Sequence, residues 1–172
     1  MKITYSMLCL ILLIVGCKAE PKTDNSANEL FEKNSETALK ALLNWESETP
    51  DYSIYADDGV AYNTYFGAEK DSVMMHSDEV KESDKSLLAK YDFKLLTNPP
   101  VFLPGVNNIT KQPDGSVRYY GAWEVTVPAT DSTEAKSGVI RLYESFDFDA
   151  DGKITVQQGY GDYSGLMMYL NE

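Results

Sequence analysis

Hydrophobic residues along this chain follow three successive patterns. An unbroken apolar run comes first, over residues 7–15. Two stretches at 26–49 and 77–91 then place apolar residues every three or four positions, a period that predicts α-helices. A short alternating segment at 60–66 and a longer series after residue 90 predict β-strands. The order of these patterns predicts a leader followed by an α+β domain whose helices precede most of its sheet.

The strands predicted in the C-terminal half are separated by clusters of Pro, Gly, Asp and Ser, which favour consecutive antiparallel hairpins. They cover residues 91–96, 117–127, 139–148 and 153–163. Because successive side chains of a strand point to opposite faces, Glu144 shares a face with Ile140 and Leu142. The same alternation places Asp162 on the inner face with Ile154, unless a glycine bulge near the end of the strand shifts the register.

A curved sheet laid over two helices leaves an apolar hollow, and we expect a ligand pocket there. The residues that alternation assigns to this pocket are Tyr62, Tyr119, Trp123, Glu144 and Gln158. A carboxylate buried among apolar neighbours has a raised pKa unless it accepts hydrogen bonds. This suits a catalytic acid/base role for Asp162, with Tyr160 or His76 polarising an oxygen. The alternative is structural, with both carboxylates held by tyrosine hydroxyls or backbone amides.

The apolar run at the start is typical of a bacterial export signal. Lys2 supplies the positive start, and the run is too short to span a bilayer, which needs roughly 20 apolar residues. Gly16 followed by Cys17 resembles the lipobox, after which the cysteine becomes acylated. We therefore expect a signal peptide at 1–16, an acylated Cys17 with a flexible tether at 17–27, and a domain at 28–172. An ordinary secretory signal with a chance cysteine is the alternative.

Charge and cysteine content narrow the partners and the means of stabilisation. The chain has 15 basic and 27 acidic residues, a formal net charge of −12, and no cluster of Lys or Arg with aromatics. We therefore expect no nucleic-acid partner. After removal of the leader, which contains Cys9, Cys17 is the only cysteine. An intramolecular disulfide is then excluded, and a packed core must stabilise the domain.

Two features look like metal sites but do not meet the chemical requirements. Asp147, Asp149 and Asp151 copy the opening of a calcium loop. At the last position of that loop, however, Gln158 replaces the bidentate Glu, and a tight Asp-Gly hairpin turn explains the same aspartates. The single histidine, His76, has no Cys, His or carboxylate at ligand spacing. We predict neither a metal nor a cofactor.

Three segments carry a resemblance to a known family. They are 55–60 (Tyr-Ala-Asp-Asp-Gly-Val), 146–154 (Phe-Asp-Phe-Asp-Ala-Asp-Gly-Lys-Ile) and 160–166 (Tyr-Gly-Asp-Tyr-Ser-Gly-Leu). Together with the two predicted helices, they resemble the SnoaL-like branch of the nuclear-transport-factor-2-like (NTF2-like) superfamily. The resemblance implies a cone-shaped α+β half-barrel, in which a curved antiparallel sheet wraps around the N-terminal helices and encloses a hydrophobic cavity.

The resemblance also bears on single residues. Asp162 looks like the acid/base aspartate of the cyclases in this family, and His76 is similar to a histidine at the mouth of their pocket. Having one histidine, the chain departs from the paired histidines of the dehydratases, and only Arg118 and Arg141 could supply the guanidinium of an epoxide-hydrolase site. Neither of those reactions is favoured, and one fold hosts many functions.

These observations lead to one leading hypothesis and two alternatives. The leading hypothesis is an exported domain, lipid-anchored to the bacterial cell envelope on its periplasmic or surface face. It would bind a small apolar molecule in its cavity or act as an accessory module. The first alternative is a cyclase- or isomerase-type enzyme that uses Asp162. The second is an interaction protein that forms homodimers through the outer face of the sheet, with Arg118, Tyr120 and Thr126 in the interface.

Overall fold

The computed structural model of the protein describes residues 25–172. Cys17, the predicted signal peptide and most of the predicted tether lie outside the described residues. The helices are α1 (Ser26–Glu46), α2 (Asp78–Leu88) and α3 (Tyr163–Asn171), with a short 3₁₀ turn at Tyr52–Ile54. The strands are β1 (Tyr55–Tyr62), β2 (Ser72–Met74), β3 (Asp92–Leu95), β4 (Phe102–Val106), β5 (Pro113–Val127), β6 (Lys136–Phe148) and β7 (Ile154–Tyr160). Within residues 25–172, no helix combines the length and the apolar character needed to cross a bilayer.

Both helices predicted from apolar spacing are present. α1 begins at Ser26, where the helical stretch predicted at 26–49 begins, and it buries Ala38 and Leu42. It packs on β5 and so covers one face of the sheet. α2 begins after Ser77, whose Oγ accepts a hydrogen bond from the backbone N–H of Val80 at 3.3 Å. That contact satisfies one of the free N–H groups at the helix start.

The strands form one curved sheet of seven strands. Its order is β2-β1-β7-β6-β5-β3, and β4 also pairs with β5. The hairpins predicted in the C-terminal half are present as antiparallel pairs of β5 with β6 and of β6 with β7. β1, by contrast, lies parallel to β7, so the sheet is not antiparallel throughout. The predicted α+β half-barrel is confirmed.

Several element boundaries differ from the prediction. The strand predicted at 60–66 is β1, which runs from Tyr55 to Tyr62. β2 and β4 are short, and β4 contains Pro104 and Gly105, so neither gives an alternating pattern. The last strand ends at Tyr160 instead of residue 163, since the chain then turns into α3.

A bulge in β7 reverses the predicted faces of that strand. Between Ile154 and Val156, β7 has one residue more than the β6 segment that it pairs with. Side chains beyond the bulge therefore change face, because the side-chain period of a strand is two. Gln158 and Tyr160 lie on the outer face for this reason, and their predicted inner-face positions are wrong.

The core lies between the inner face of the sheet and the helices that cover it. Its fully buried large side chains are Val117, Tyr119, Val125, Phe146 and Ile154. α3 closes one end of this core with the buried Leu166 and Leu170. A Cβ on Gly138 of β6 would lie 2.6 Å from Cδ1 of Leu166, so a glycine is what lets α3 approach β6 this closely.

Candidate functional site

Glu144 lies at the centre of the inner face, on β6. Its neighbours across the sheet are Tyr119 on β5 and Gly159 on β7. The residue keeps partial access to solvent, but its Oε2 atom is buried and has no hydrogen-bond partner among the described residues. Burial raises the pKa of Glu144 to about 7, because a charged carboxylate is costly to remove from water. Glu144 is thus poised between its protonated and ionised forms near neutral pH.

Two further unpartnered groups lie on β5 beside Glu144. Tyr119 Oη and Trp123 Nε1 are both buried and, within residues 25–172, have no hydrogen-bond partner. Burial raises the pKa of Tyr119 to about 12; the charge of Glu144 adds to the rise, and the indole N–H of Trp123, which approaches the Tyr119 oxygen without reaching hydrogen-bond geometry, opposes it. The Tyr119 ring lies along its strand over Gly121, where an added Cβ would fall 1.6 Å from Tyr119 Oη. The position of the Tyr119 hydroxyl therefore depends on the glycine.

A second glycine makes room on the β7 side of the site. A Cβ on Gly159 would lie 2.7 Å from Tyr163 Oη and 3.5 Å from Glu144 Oε1, so the tyrosine and the carboxylate both extend over this glycine. Burial raises the pKa of Tyr163, and the charge of Glu144 adds to the effect. The first residue of α3 thus supplies a hydroxyl to the same site.

Tyr55 completes the ring of aromatic residues around the carboxylate. Its hydroxyl donates to Oε1 of Gln157 at 2.7 Å. Burial raises the pKa of Tyr55, followed by the charges of Glu144 and Asp84. Because the Tyr55 hydroxyl already donates to Gln157, Tyr55 only lines the site. Within the described residues, the Tyr119 hydroxyl and the Trp123 N–H have no acceptor and could donate to a ligand.

The electrostatic environment of Glu144 has no compensating cation. Desolvation is the cause of its raised pKa, and no Lys, Arg or His forms an ion pair with it within the described chain. A buried carboxylate without a cation is stabilised by binding a proton or by meeting a ligand that donates one. The arrangement therefore suits proton exchange better than a fixed negative charge.

The structure brings together three of the predicted pocket residues, Tyr119, Trp123 and Glu144, on the inner face. The other two, Tyr62 and Gln158, pair with each other on the outer face, and Tyr62 is 46% exposed. Their predicted place in the pocket is wrong: the bulge in β7 turns Gln158 outward, and the pairing of β1 with β7, which is irregular between Tyr55 and Val60, places Tyr62 beside it. The predicted hollow is also narrower than expected, since Tyr119 and Trp123 are 0% and 5% exposed and fill most of it.

The predicted catalytic residues are not assembled around Glu144. Asp162 does not belong to a strand; it caps α3, where its Oδ1 accepts from the N–H of Gly165 at 2.9 Å. Tyr160 lies on the outer face and is half exposed. His76 Nε2 lies 3.3 Å from the backbone oxygen of Tyr55, on the turn before α2. The predicted inner-face placement of Asp162 is wrong, since the strand ends two residues before it.

The outer face of the sheet carries a row of stacked tyrosines. The rings of Tyr120 and Tyr143 are 4.9 Å apart, and those of Tyr143 and Tyr160 are 6.2 Å apart. Arg118 donates to Oδ1 of Asp147 at 3.0 Å beside this row. The predicted outer-face positions of Arg118 and Tyr120 are confirmed.

The aspartates that copy a calcium loop have structural partners. Asp147 pairs with Arg118, and Oδ1 of Asp149 accepts from the backbone N–H groups of Asp151 and Lys153, both at 2.9 Å. These contacts tighten the turn between β6 and β7. Over residues 25–172 there is no group of three or more His, Cys, Asp or Glu residues arranged to hold a metal ion.

Three residues of the site escape the sequence pattern. Tyr55, Gln157 and Tyr163 are assigned by alternation to a turn or to the outer face, and the β7 bulge and the start of α3 bring Gln157 and Tyr163 inward. The available signal is Gly159, since a glycine within a strand indicates a bulge or a close approach by another group.

Comparisons with known proteins identify the fold. No protein-family model matches the sequence, and no curated protein matches it. A candidate SnoaL-like polyketide cyclase from Shewanella denitrificans OS-217 superposes with a TM-score of 0.53 and 15% identity, over 83% of this chain and 97% of that one. The pinacolase BvnE from Penicillium brevicompactum gives 0.56 and 12%, over 86% and 92% of the two chains. An NTF2-like protein from Burkholderia xenovorans LB400 gives 0.55 and 13%, over 81% and 97%.

The chain therefore has the fold of the NTF2-like α+β half-barrels. Within this class, the structural neighbours indicate the SnoaL-like form of the fold. At these identities the likeness concerns the fold, so the activity must be argued from the residues around Glu144.

Proposed function

We propose that this domain binds a small apolar molecule with a carbonyl oxygen over Glu144, and that Glu144 exchanges a proton with it. The observation that carries the proposal is the set of three buried polar atoms without a partner, Tyr119 Oη, Trp123 Nε1 and Glu144 Oε2. Buried polar groups in folded proteins are nearly always hydrogen-bonded, so this set calls for a partner that is not a protein atom. The oxygen and the exchangeable proton of a ligand provide one.

Protonation states assign the roles. Because the pKa of Tyr119 is raised to about 12, its hydroxyl keeps its proton at neutral pH and donates to the ligand oxygen, as does the indole of Trp123. Glu144, with a pKa of about 7, accepts the proton from the carbon next to the ligand carbonyl. The electron pair of the broken C–H bond moves towards the carbonyl oxygen, where the two donors stabilise the enolate. Return of the proton to the same or another carbon completes exchange or isomerisation.

Proteins with this fold include a candidate polyketide cyclase, a pinacolase and a candidate isomerase from Bacillus subtilis. Their descriptions agree with chemistry at a carbon skeleton. These proteins support the fold alone, and the proposed reaction type rests on the residues around Glu144.

The test is deuterium exchange into 2-tetralone, an apolar ketone with acidic C–H bonds, followed by proton NMR in heavy water. We expect the wild-type domain to accelerate exchange, and Glu144→Gln to lose roughly 10²- to 10⁴-fold of that acceleration, the usual contribution of a general base. Tyr119→Phe should lose less, because Trp123 still donates.

Glu124→Gln is the matched control, since Glu124 lies on the outer side of the neighbouring strand and pairs with Lys94. It should exchange like the wild type. An acceleration that is equal in Glu144→Gln and in the wild type would contradict the proposal, as would the absence of any acceleration together with no binding of 2-tetralone.

The cell envelope is the proposed place of action, with acyl chains on Cys17 as the anchor. Residues 18–25 would connect the anchor to α1 and could span at most about 28 Å when extended. Labelling of growing cells with an alkyne-tagged fatty acid tests this. The wild-type protein should take up the label and sediment with membranes, whereas Cys17→Ser should do neither.

Homodimer formation is a second candidate function, and the tyrosine row on the outer face favours it. Tyr120 and Tyr160 are 57% and 50% exposed, and the ion pair of Arg118 with Asp147 places both charges beside them. Such a patch is complementary to a copy of itself related by a two-fold axis. Light scattering should give a dimer mass that falls to the monomer mass in Tyr120→Lys. A monomer at all concentrations would contradict this candidate.

A further inference from the structure

The first half of β6 has a strand on only one side. β6 pairs with β5 from Lys136 onward, but its pairing with β7 begins only at Tyr143, because β7 ends at Tyr160. Over 137–141, the described part of the chain therefore offers no strand on the β7 side. An unpaired strand edge is a template for another strand.

The backbone groups of this edge point away from β5. An added Cβ on Gly161 would lie 3.1 Å from the backbone oxygen of Arg141, so this oxygen faces the β7 side of the strand, where Gly161 covers it. In an antiparallel ladder, alternate residues direct both their N–H and C=O to the same side. Ser137 and Val139 therefore present their N–H and C=O groups in the same direction as Arg141. Among the described residues, these groups accept or donate no backbone hydrogen bond from a turn or loop.

α3 forms the second wall and turns the edge into a groove. Leu166 of α3 lies against Gly138, and Lys136 places its Nζ 4.3 Å from the ring centre of Tyr169. The groove has a volume of about 550 Å³ and is lined by five consecutive residues of β6 together with Asp162, Leu166 and Tyr169. A run of consecutive residues along one wall is what a strand edge presents.

Basic side chains outnumber acidic ones at the groove: Arg141 and Lys136 lie beside it with Asp162, whose Oδ1 already accepts from the N–H of Gly165. Arg141 is exposed, and within residues 25–172 it has no ion-pair partner, although the chain as a whole has a net charge of −12. Its side chain points to the outer face of the sheet, next to the 57% exposed Val139. On the inner side of the edge, Leu166 and Tyr169 offer apolar contact. An occupant with acidic residues on one face and apolar residues on the other fits both sides.

We propose that the free edge of β6 binds an extended segment of a partner protein as an additional strand of the sheet. The edge from Ser137 to Arg141 is about 17 Å long, which accommodates four or five residues of the added strand. Main-chain hydrogen bonds from Ser137, Val139 and the N–H of Arg141 provide the affinity, and alternate side chains of the segment provide the specificity. The segment carries an acidic side chain beside Arg141 and apolar side chains towards α3.

The location of the groove in the fold can be described relative to α1. The N-terminal half of α1 lies at the other end of β6: Lys33 Nζ donates to the backbone oxygen of Asp151 at 3.2 Å, in the turn that follows the strand. The distance along β6 from that end to Ser137 is roughly 35 Å. The groove therefore lies at the end of the domain opposite the start of α1, to which the proposed anchor connects.

A library of random eight-residue peptides, displayed on phage and selected on the wild-type domain, tests this assignment. The enriched peptides should alternate acidic and apolar residues. In an NMR titration they should shift the amide resonances of Ser137, Val139 and Arg141. Val139→Pro should weaken their binding by more than tenfold, since proline removes the N–H that faces the groove and leaves the pairing with β5 intact. Val139→Thr is the matched control and should bind like the wild type.

A second variant tests the charge without altering the backbone. Arg141→Glu should reduce binding of the enriched acidic peptides by more than tenfold and select basic peptides from the same library. Peptides that bind Val139→Pro and Val139→Thr equally, or that shift Tyr120 and Tyr160 instead of the edge, would overturn the proposal. The absence of any enriched peptide, or self-association of the domain that is lost in Val139→Pro, would also overturn it.

Discussion

Two groups of three tyrosines, one around Glu144 on the inner side of the sheet and one stacked on its outer face, have different consequences. On the inner face, Tyr55, Tyr119 and Tyr163 surround Glu144, and burial raises the pKa of each. On the outer face, Tyr120, Tyr143 and Tyr160 stack on one another at the surface. The comparison shows that residue type alone does not distinguish the proposed binding site from the surface row. What marks the proposed binding site is the combination of burial, a carboxylate and donors without partners.

The largest expected effect is on how the stability of the domain changes with pH through Glu144 on the inner face. The folded-state pKa of Glu144 is about 7, above the usual 4.5, so the fold favours the protonated carboxyl. The contribution of Glu144 to the free energy of unfolding is therefore fully present at pH values below 4.5, and it is lost as the pH rises through about 7. Relative to Glu144→Gln, the free energy of unfolding of the wild type should fall by roughly 3 kcal/mol across that range.

Urea denaturation of both proteins at several pH values measures this difference. Glu124→Gln on the outer face should follow the pH profile of the wild type, because its carboxylate is accessible and paired with Lys94. If the free energy of unfolding depended on pH in the same way in the wild type and in Glu144→Gln, the carboxyl on the inner face would not differ from one on the outer face.

A smaller effect is expected from the glycine that makes room for Tyr119. Gly121→Ala should destabilise the domain by about 1–3 kcal/mol, the usual cost of overpacking, since the new Cβ would overlap Tyr119 Oη. The same substitution in a Tyr119→Ala background should cost much less. Thermal unfolding of the four proteins gives the coupling between the two positions, and additive effects would show that Tyr119 does not lie over Gly121.

The smallest effect concerns Asp162, which alternation predicts to lie on the inner face and which the family resemblance implies to be the acid/base residue. Asp162 caps the start of α3, and Asn is an equally good cap. Asp162→Asn should therefore leave stability and 2-tetralone exchange nearly unchanged. Asp162→Ala should cost about 1 kcal/mol of stability. A large loss of exchange in Asp162→Asn, with the fold intact, would return the catalytic role to this residue.

The sequence pattern predicts the fold and part of the site for a physical reason. β5 and β6 pair without interruption from Val117 to Val127, so simple alternation places Tyr119, Trp123 and Glu144 correctly. The same alternation fails in β7, because one additional residue after Ile154 exchanges the faces of everything beyond it. A bulge of one residue leaves no pattern of its own in a strand as short as β7.

The remaining errors arise where tertiary contacts decide the local structure. α3 is short, and its apolar residues become a helix only when Leu166 and Leu170 pack on the end of the sheet. That helix also explains why Asp162 is a cap and not an inner-face carboxylate. The parallel pairing of β1 with β7 joins segments roughly 95 residues apart, and nothing local in either strand predicts it.

The proposed function depends on Glu144, a carboxyl whose buried Oε2 has no hydrogen-bond partner within residues 25–172. Carbon-13 NMR of the domain labelled at its glutamate carboxyl groups, with Glu144→Gln to assign the resonance, measures its pKa directly. We expect the Glu144 carboxyl resonance to titrate with a midpoint at pH of about 7. A midpoint at or below the usual 4.5 would mean that the carboxylate is hydrogen-bonded or solvated in the folded domain, and would contradict the account.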